Sequence, residues 1–193
     1  MPTIAINDTY KLCPWAKFIY FCDADFWERE RDKPEFAGHK GRKVTLSVEV
    51  QGKDPSALLL ENLGPDYSDA ECKALFDRPG AINNYGNSGA QAIQLARHLG
   101  ASVILLAGFD MRDVDGRTHW SKDCLGAEQS ARFYNGGGVE SRDPKRYETK
   151  FAPRFPKLAD ALRADGITVI NLTRFDREGK PWTALRCFPL ASL

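Results

Sequence analysis

The chain is short of the residues that build stapled or metal-held folds. Its five cysteines (Cys13, Cys22, Cys72, Cys124, Cys187) are odd in number, widely spaced and without a C-x-x-C pair, and it has only three histidines. This argues against a disulfide framework and a structural zinc site, and for reduced thiols in a cytoplasmic protein. An excess of charge is also missing. Lys plus Arg total 27 against 26 Asp plus Glu, so no global field draws nucleic acid or an anionic membrane, and any anion site must be local. No single segment gathers basic residues beside aromatics, which leaves no strong nucleic-acid signal. Long apolar runs are absent too. The longest, 103–109, falls far short of the roughly 20 residues that cross a bilayer, and Met1-Pro2-Thr3 opens directly into a strand-like segment, so neither a membrane span nor a signal peptide is expected. Without repeats or low-complexity stretches, 193 residues that are 42% apolar suffice for one substantial core, and a single domain is expected.

What is present alternates between strand and helix. Thr3-Ile4-Ala5-Ile6 and Phe18-Ile19-Tyr20-Phe21-Cys22 are short apolar runs that read as strands covered on both faces, joined by about ten residues whose Pro14 limits any helix to two turns or so. Residues 26–43 carry a charge run (Glu28, Arg29, Glu30, Arg31, Asp32, Lys33) that reads as a solvated helix face or loop. Residues 44–50 alternate like a half-exposed strand. Residues 52–80 are weakly patterned and read as an insertion or lid, with 57–60 and 70–76 its ordered pieces. Residues 90–99 form the best helix, with Ala92, Leu95, Ala96 and Leu99 on one face, Asn87 or Ser88 as cap and Gly100 as stop. Residues 102–107 follow as a buried strand. After a loop-rich stretch at 112–153, whose triple glycine at 136–138 marks the most mobile part, 156–163 reads as a helix and 167–171 as a strand. This alternation predicts an α/β fold with a mainly parallel, doubly wound sheet and helices on both faces.

In such sheets ligands sit where strands end and helices begin. Asn7-Asp8 and Asp23 follow the first two strands, Asp110 ends a later one, and Gly86-Asn87-Ser88-Gly89 opens the best helix, where free N–H groups and the helix dipole favour a phosphate. Asp23 and Asp25, at strand spacing, can hold a magnesium or manganese ion against a diphosphate; the plain alternative is a turn or helix cap. For Asn87 and Ser88 the plain alternative is simple capping. His119 lies in a loop soon after Asp110, which makes it the best general base, with His98 and His39 as weaker choices and a surface histidine packed on Trp120 as the bland reading. Ser88 does not sit in a G-x-S-x-G elbow, so a serine hydrolase has little support.

The runs 2–10 and 16–27, together with Asn87-Ser88-Gly89, Gly108-Phe109-Asp110-Met111, Thr118-His119-Trp120 and Cys187-Phe188-Pro189, resemble phage and prophage proteins related to the MptE-like family. That family includes 6-hydroxymethylpterin diphosphokinases, and its Rossmann-like fold is similar to that of bacterial sialyltransferases that use CMP-sialic acid. The resemblance implies nucleotide contacts at Asn7, Asp23, Asn87, Ser88 and Gly89, with Asp110 beside the nucleotide. It also implies that the chain starts at the second strand of the family pattern, without the usual first strand and glycine loop. The reading that follows is a single Rossmann-like α/β domain in the cytoplasm of a bacterial host. It would be a nucleotide-dependent transferase of glycosyl or diphosphate groups, with His119 and Asp110 catalytic and Asp23 and Asp25 as metal ligands. A nucleotide or nucleotide-sugar is the expected partner, and a second copy of the chain is left open. The competing reading is a non-catalytic nucleotide-binding or assembly module of phage origin.

Overall fold

A computed structural model describes residues 1–64, 78, 80–111 and 151–192. They belong to two compact units, Met1–Ser102 and Val103–Leu193. In the first unit, β1 (Ile4–Ile6), β2 (Phe18–Phe21), β3 (Arg42–Thr45) and β4 (Leu58–Leu59) form one sheet in chain order, every pair parallel. Parallel neighbours cannot be joined by a hairpin, so each connection must cross over the sheet. These crossovers are a 3-10 turn at Asn7–Lys11 and the helices α1 (Ala24–Glu30), α2 (Pro34–Ala37) and α3 (Val48–Lys53).

Strand alternation sorts the side chains to two faces. Ala5, Ile19 and Phe21 pack with Tyr10, Phe26, Trp27, Phe36 and Val50 from the crossovers. Tyr20 and Val44, with Ile4, Ile6 and Phe18 beside them, meet Ile82, Ala92 and Leu95. The last two belong to α4 (Ser88–His98), which follows a small parallel pair, β5 (Glu61–Asn62) and β6 (Ala81–Ile82). Helices therefore cover both faces of this sheet, as a parallel sheet requires. In the second unit, β7 (Val103–Ala107), β8 (Thr168–Thr173) and β9 (Leu190–Ser192) are again parallel and in chain order, and α5 (Phe155–Ala164) packs against β8. The sequence expectation of an α/β protein with parallel strands holds in both units.

Three expectations change. The 44–50 segment is not one half-exposed strand: β3 stops at Thr45, with Val44 and Thr45 both buried, and α3 begins three residues later. Ser47 causes the switch, because its hydroxyl accepts from the Val50 N–H and caps the helix, overriding the strand propensity of Val48 and Val50. The 102–107 strand is not buried throughout. Ile104 and Leu106 are buried, whereas Val103 and Leu105 are exposed. The expected ordered piece at 70–76 and the triple glycine lie outside the described residues.

The third change concerns the charge run: Glu28, Arg31 and Asp32 are exposed as expected, whereas Arg29 and Glu30 turn inward. Glu30 is fully buried. Its carboxylate accepts from the Tyr10 hydroxyl at 2.6 Å, Arg29 Nε at 2.6 Å and Lys33 Nζ at 2.8 Å, with Lys11 Nζ at 3.2 Å. Lys11 and Arg29 also reach Asp8, at 2.8 and 3.0 Å, so two buried carboxylates share their cations. Burial alone would raise the Glu30 pKa, but the hydrogen bonds from Arg29, Lys33 and Tyr10 outweigh it and bring it down to about 2. Burial and the adjacent Glu30 carboxylate push the Tyr10 phenol in the opposite direction, up.

A carboxylate held below its unfolded value stabilises the fold above that value and loses its contribution as pH falls through the folded pKa. With unfolded and folded values of 4.5 and about 2, the denaturant midpoint should stay flat from pH 7 to about 5 and decline from there toward pH 2. Glu30→Gln should lower stability at pH 7 by on the order of 3 kcal/mol, since it removes the buried charge that Arg29, Lys33 and Lys11 share, and should flatten the acid slope. An unchanged slope in urea titrations of this variant would remove Glu30 from that role.

Candidate functional site

The expected strand-end residues of the first unit lie at the exits of β1 and β2, and each has a different fate. Asn7, the first residue past β1, has φ +50°, and its Oδ1 is buried without a hydrogen-bond partner. Asp8 is taken up by Lys11 and Arg29 and serves the buried ion cluster. Asp23 stands exposed at the N-cap of α1, yet its carboxylate makes no capping bond. Asp25 is exposed in the first turn of that helix. The strand-spacing argument for a paired metal site therefore does not hold: β2 ends at Phe21, and residues two apart on a helix do not face each other. Among the described residues no cluster of three His, Cys, Asp or Glu side chains forms a ready cation site. What remains is a donor set of one or two carboxylates, which suits magnesium only where phosphate oxygens complete the shell.

At the entrance to α4 the plain reading of Asn87 is correct in part, because its Oδ1 accepts from the Ala90 N–H at 3.1 Å. The Gln91 N–H bonds to the Asn87 carbonyl. This leaves the first-turn N–H groups of Ser88 and Gly89 as the orphans that every helix start presents. The Ser88 hydroxyl lies 3.2 Å from the Cys22 thiol, so a hydrogen bond fastens the β2 exit to the start of α4, beside Asp23. Burial, reinforced by the Asp23 carboxylate, pushes the Cys22 thiol up to about 12. It stays protonated and is a structural contact, not a nucleophile.

Sequence reasoning missed the residues that hold this entrance in place. Gln91 and Gln94 are buried on the sheet-facing side of α4. Gln94 receives the Asn83 N–H at 2.9 Å and donates to the Asn83 carbonyl at 3.1 Å. Gln91 donates to the carbonyl and side-chain oxygens of Asn84 and accepts from the Tyr20 hydroxyl at 2.9 Å. Between these anchors and the cap, Tyr85 and Gly86 adopt φ values of +43° and +57°. The signal was visible as two amides on a helix face that is otherwise apolar. Asn83 itself is fully buried, and both of its side-chain amide atoms lack a partner.

Asp110 belongs to the second unit. Its carbonyl accepts from the Ala184 N–H at 2.7 Å, and the Thr183 hydroxyl donates to the Phe109 carbonyl at 2.7 Å with the Asp110 carbonyl at 3.1 Å. The buried Asn171 amide lies 3.3 Å from the same hydroxyl. These residues fix the β7 exit, followed by Met111 at φ +49°. His119 lies outside the described residues. The other two histidines serve the backbone. His98 Nε2 pairs with the Ala81 carbonyl at 2.8 Å, and burial lowers its pKa. His39 accepts from the Gly41 N–H at Nδ1, which leaves Nε2–H for the Cys13 carbonyl.

No family model and no curated protein matches the chain. Among solved structures, a crystal structure of an AP endonuclease, family 2 from Brucella melitensis is similar at 16% identity over 95% of this chain, with a TM-score of 0.23. The chain spans 60% of that structure's length, and a likeness so low carries neither fold nor function.

Gln94→Leu should strip the Asn83 N–H and carbonyl of their partners in a buried setting. The expected loss is about 2–3 kcal/mol in a urea or thermal melt, against a negligible change for Arg177→Ala at an exposed turn of the second unit. A melt for Gln94→Leu that overlays the parent would show that the clamp does not hold the loop.

Proposed function

We propose that the exits of β1 and β2 and the start of α4 bind the phosphate-bearing part of a nucleotide, and that the protein is a nucleotide-dependent transferase of glycosyl or diphosphate groups. The observation that carries this reading is the Cys22–Ser88 hydrogen bond at 3.2 Å. It sets Cys22, the neighbour of Asp23, against the end of α4, where the Ser88 and Gly89 N–H groups have no partner among the described residues. A phosphate at that point meets two donors and the positive end of an 11-residue helix. Asn87 contributes the cap that holds those donors in place. Asp23 orients a ribose or sugar hydroxyl or, with the phosphate, a magnesium or manganese ion; Asp25, in the first turn of α1 two residues on, is the weaker ligand. The unpaired Asn7 oxygen accepts from a hydroxyl or amino group of the nucleotide. Support for a Rossmann-like sheet comes from the strand order: each unit runs its parallel strands in chain order, which is how each half of a doubly wound sheet is built. Kinship with the MptE-like proteins belongs to the same proposal and rests on the strand-end and helix-entrance residues.

Thermal shift with CMP, CDP, UDP, GDP and ATP, with and without magnesium or manganese, tests the reading. One of these should stabilise the protein by about 2.7 kcal/mol at 100 times its Kd. Ser88→Asp puts an anion where the phosphate would sit and should erase the nucleotide shift, while Ser88→Ala, which also loses the Cys22 bond but adds no charge, should keep part of it and so separates loss of that bond from loss of the ligand. Asp23→Ala should erase any metal-dependent part. The absence of a shift with all five nucleotides, or a shift indifferent to Ser88→Asp, would overturn the assignment.

A further inference from the structure

We propose that the N-terminal edge of the first-unit sheet, away from the nucleotide site, binds single-stranded nucleic acid. The chain as a whole carries a net charge of only +1, and no one segment is both basic and aromatic, but the fold brings two acid-free segments together. Residues 9–22 and 36–48 contain no Asp or Glu. They meet where β2 and β3 begin: the Arg42 N–H donates to the Lys17 carbonyl at 2.8 Å, and the register pairs Phe18 with Arg42. Neighbouring strands lie about 5 Å apart, so Lys17 and the 40–42 stretch share one narrow edge.

Lys17, Lys40 and Arg42 are all exposed, and none of the three forms an ion pair among the described residues. Lys43 does not join them, because its ammonium lies over the Phe36 ring and helps to lower the Asp54 pKa. Two residues before Lys17, Trp15 is 68% exposed, and Leu12 in the same loop is 58% exposed. A large indole left in water beside three unpaired cations is the pairing that single strands use: phosphates track the cations while a base stacks on the ring.

The edge is also rigid. His39 bridges the two segments, accepting from Gly41 N–H at 2.9 Å and donating to the Cys13 carbonyl at 3.3 Å. A Cβ on Gly41 would lie 2.5 Å from the Ala16 carbonyl oxygen, so only glycine lets the 38–42 turn run against the Trp15 loop. The backbone that carries the cations and the indole is thus held in place before a ligand arrives, which lowers the ordering cost of binding.

Anisotropy of a fluorescein-labelled dT20 strand, titrated with the full chain at 50 to 200 mM NaCl, reads the proposal directly. Binding should weaken with salt with a log–log slope of about −2, as expected for three phosphate contacts on a single strand. The triple variant Lys17→Glu/Lys40→Glu/Arg42→Glu should abolish binding. Trp15→Ala should weaken it about tenfold without changing the slope. All four side chains are solvent-exposed, so both variants should keep the far-UV circular dichroism and melting temperature of the parent. A duplex of the same length, with its bases stacked away from Trp15, should bind more weakly, and a millimolar mononucleotide should not displace dT20. No binding at 50 mM NaCl, or binding untouched by the triple variant, would overturn the proposal. So would a Trp15→Ala variant that binds dT20 as well as the parent does while anionic phosphatidylserine vesicles bind more tightly than the strand, a result that would assign the edge to a membrane surface.

Discussion

The start of α4 depends on two buried amides. Gln91 and Gln94 take a part of the helix face that would otherwise be apolar and use it to grip the backbone of Asn83 and the main chain and side chain of Asn84. A loop that leaves a short parallel strand has N–H and C=O groups with no ladder to join, and burying them unpaired would cost about 1–3 kcal/mol each. Side-chain amides meet that demand, since each offers a donor and an acceptor together. The same grip allows Tyr85 to be held at φ +43°, a conformation that a free tyrosine loop would abandon. The helix start, with its cap at Asn87 and its bond from Ser88 to Cys22, is therefore positioned from beneath before any ligand is considered.

A similar division of labour separates the carboxylates. Asp8 and Asp23 each follow a parallel strand of the same sheet, yet one is buried in an ion cluster and the other is exposed at a helix cap. The difference lies in what packs above them. The 3-10 turn after β1 turns Asp8 toward Arg29 and Lys11, whereas α1 starts directly after Asp23 and leaves its carboxylate in solvent near the Cys22 thiol. Once Glu30 is buried, its three cations and the Tyr10 hydroxyl are committed to it, and Asp8 is needed to balance the rest. Charge that looks like a surface helix in one dimension thus becomes the polar centre of one face of the sheet.

The sequence was readable wherever a signal is local. Apolar runs bounded by polar residues gave β1 and β2 at their observed places, and the Asn87 cap with Gly100 at φ +84° gave the limits of α4. Asn7, Asp23, Ser88 and Gly89 could be placed from the same pattern, because strand ends and helix starts are punctuated by small and polar residues. Tertiary partners could not be read this way. Nothing near Glu30 in sequence announces Tyr10, 20 residues away, and nothing near Asp110 announces Thr183, 73 residues on. The error over residues 44–50 has a local cause as well: Val-Glu-Val satisfies a strand pattern and a helix start alike, and only the Ser47 hydroxyl decides between them.

Segment-wise reading says least about surface charge. Counting cations along the chain asks whether one stretch is basic, whereas a ligand meets whatever the fold brings to one edge. Residues 12–17 supply an indole and one lysine, residues 38–42 supply a lysine and an arginine, and neither stretch alone distinguishes itself from a solvated loop. Parallel pairing of β2 with β3 sets the two side by side, and Gly41 with His39 closes the space between them. Because each crossover returns the chain to the same edge, a parallel sheet collects all its strand starts on one side and all its strand ends on the other. The polar exits at Asn7 and Asp23 and the basic entries at Lys17 and Arg42 are therefore separated by the length of a strand, and an anion held at one leaves the other free.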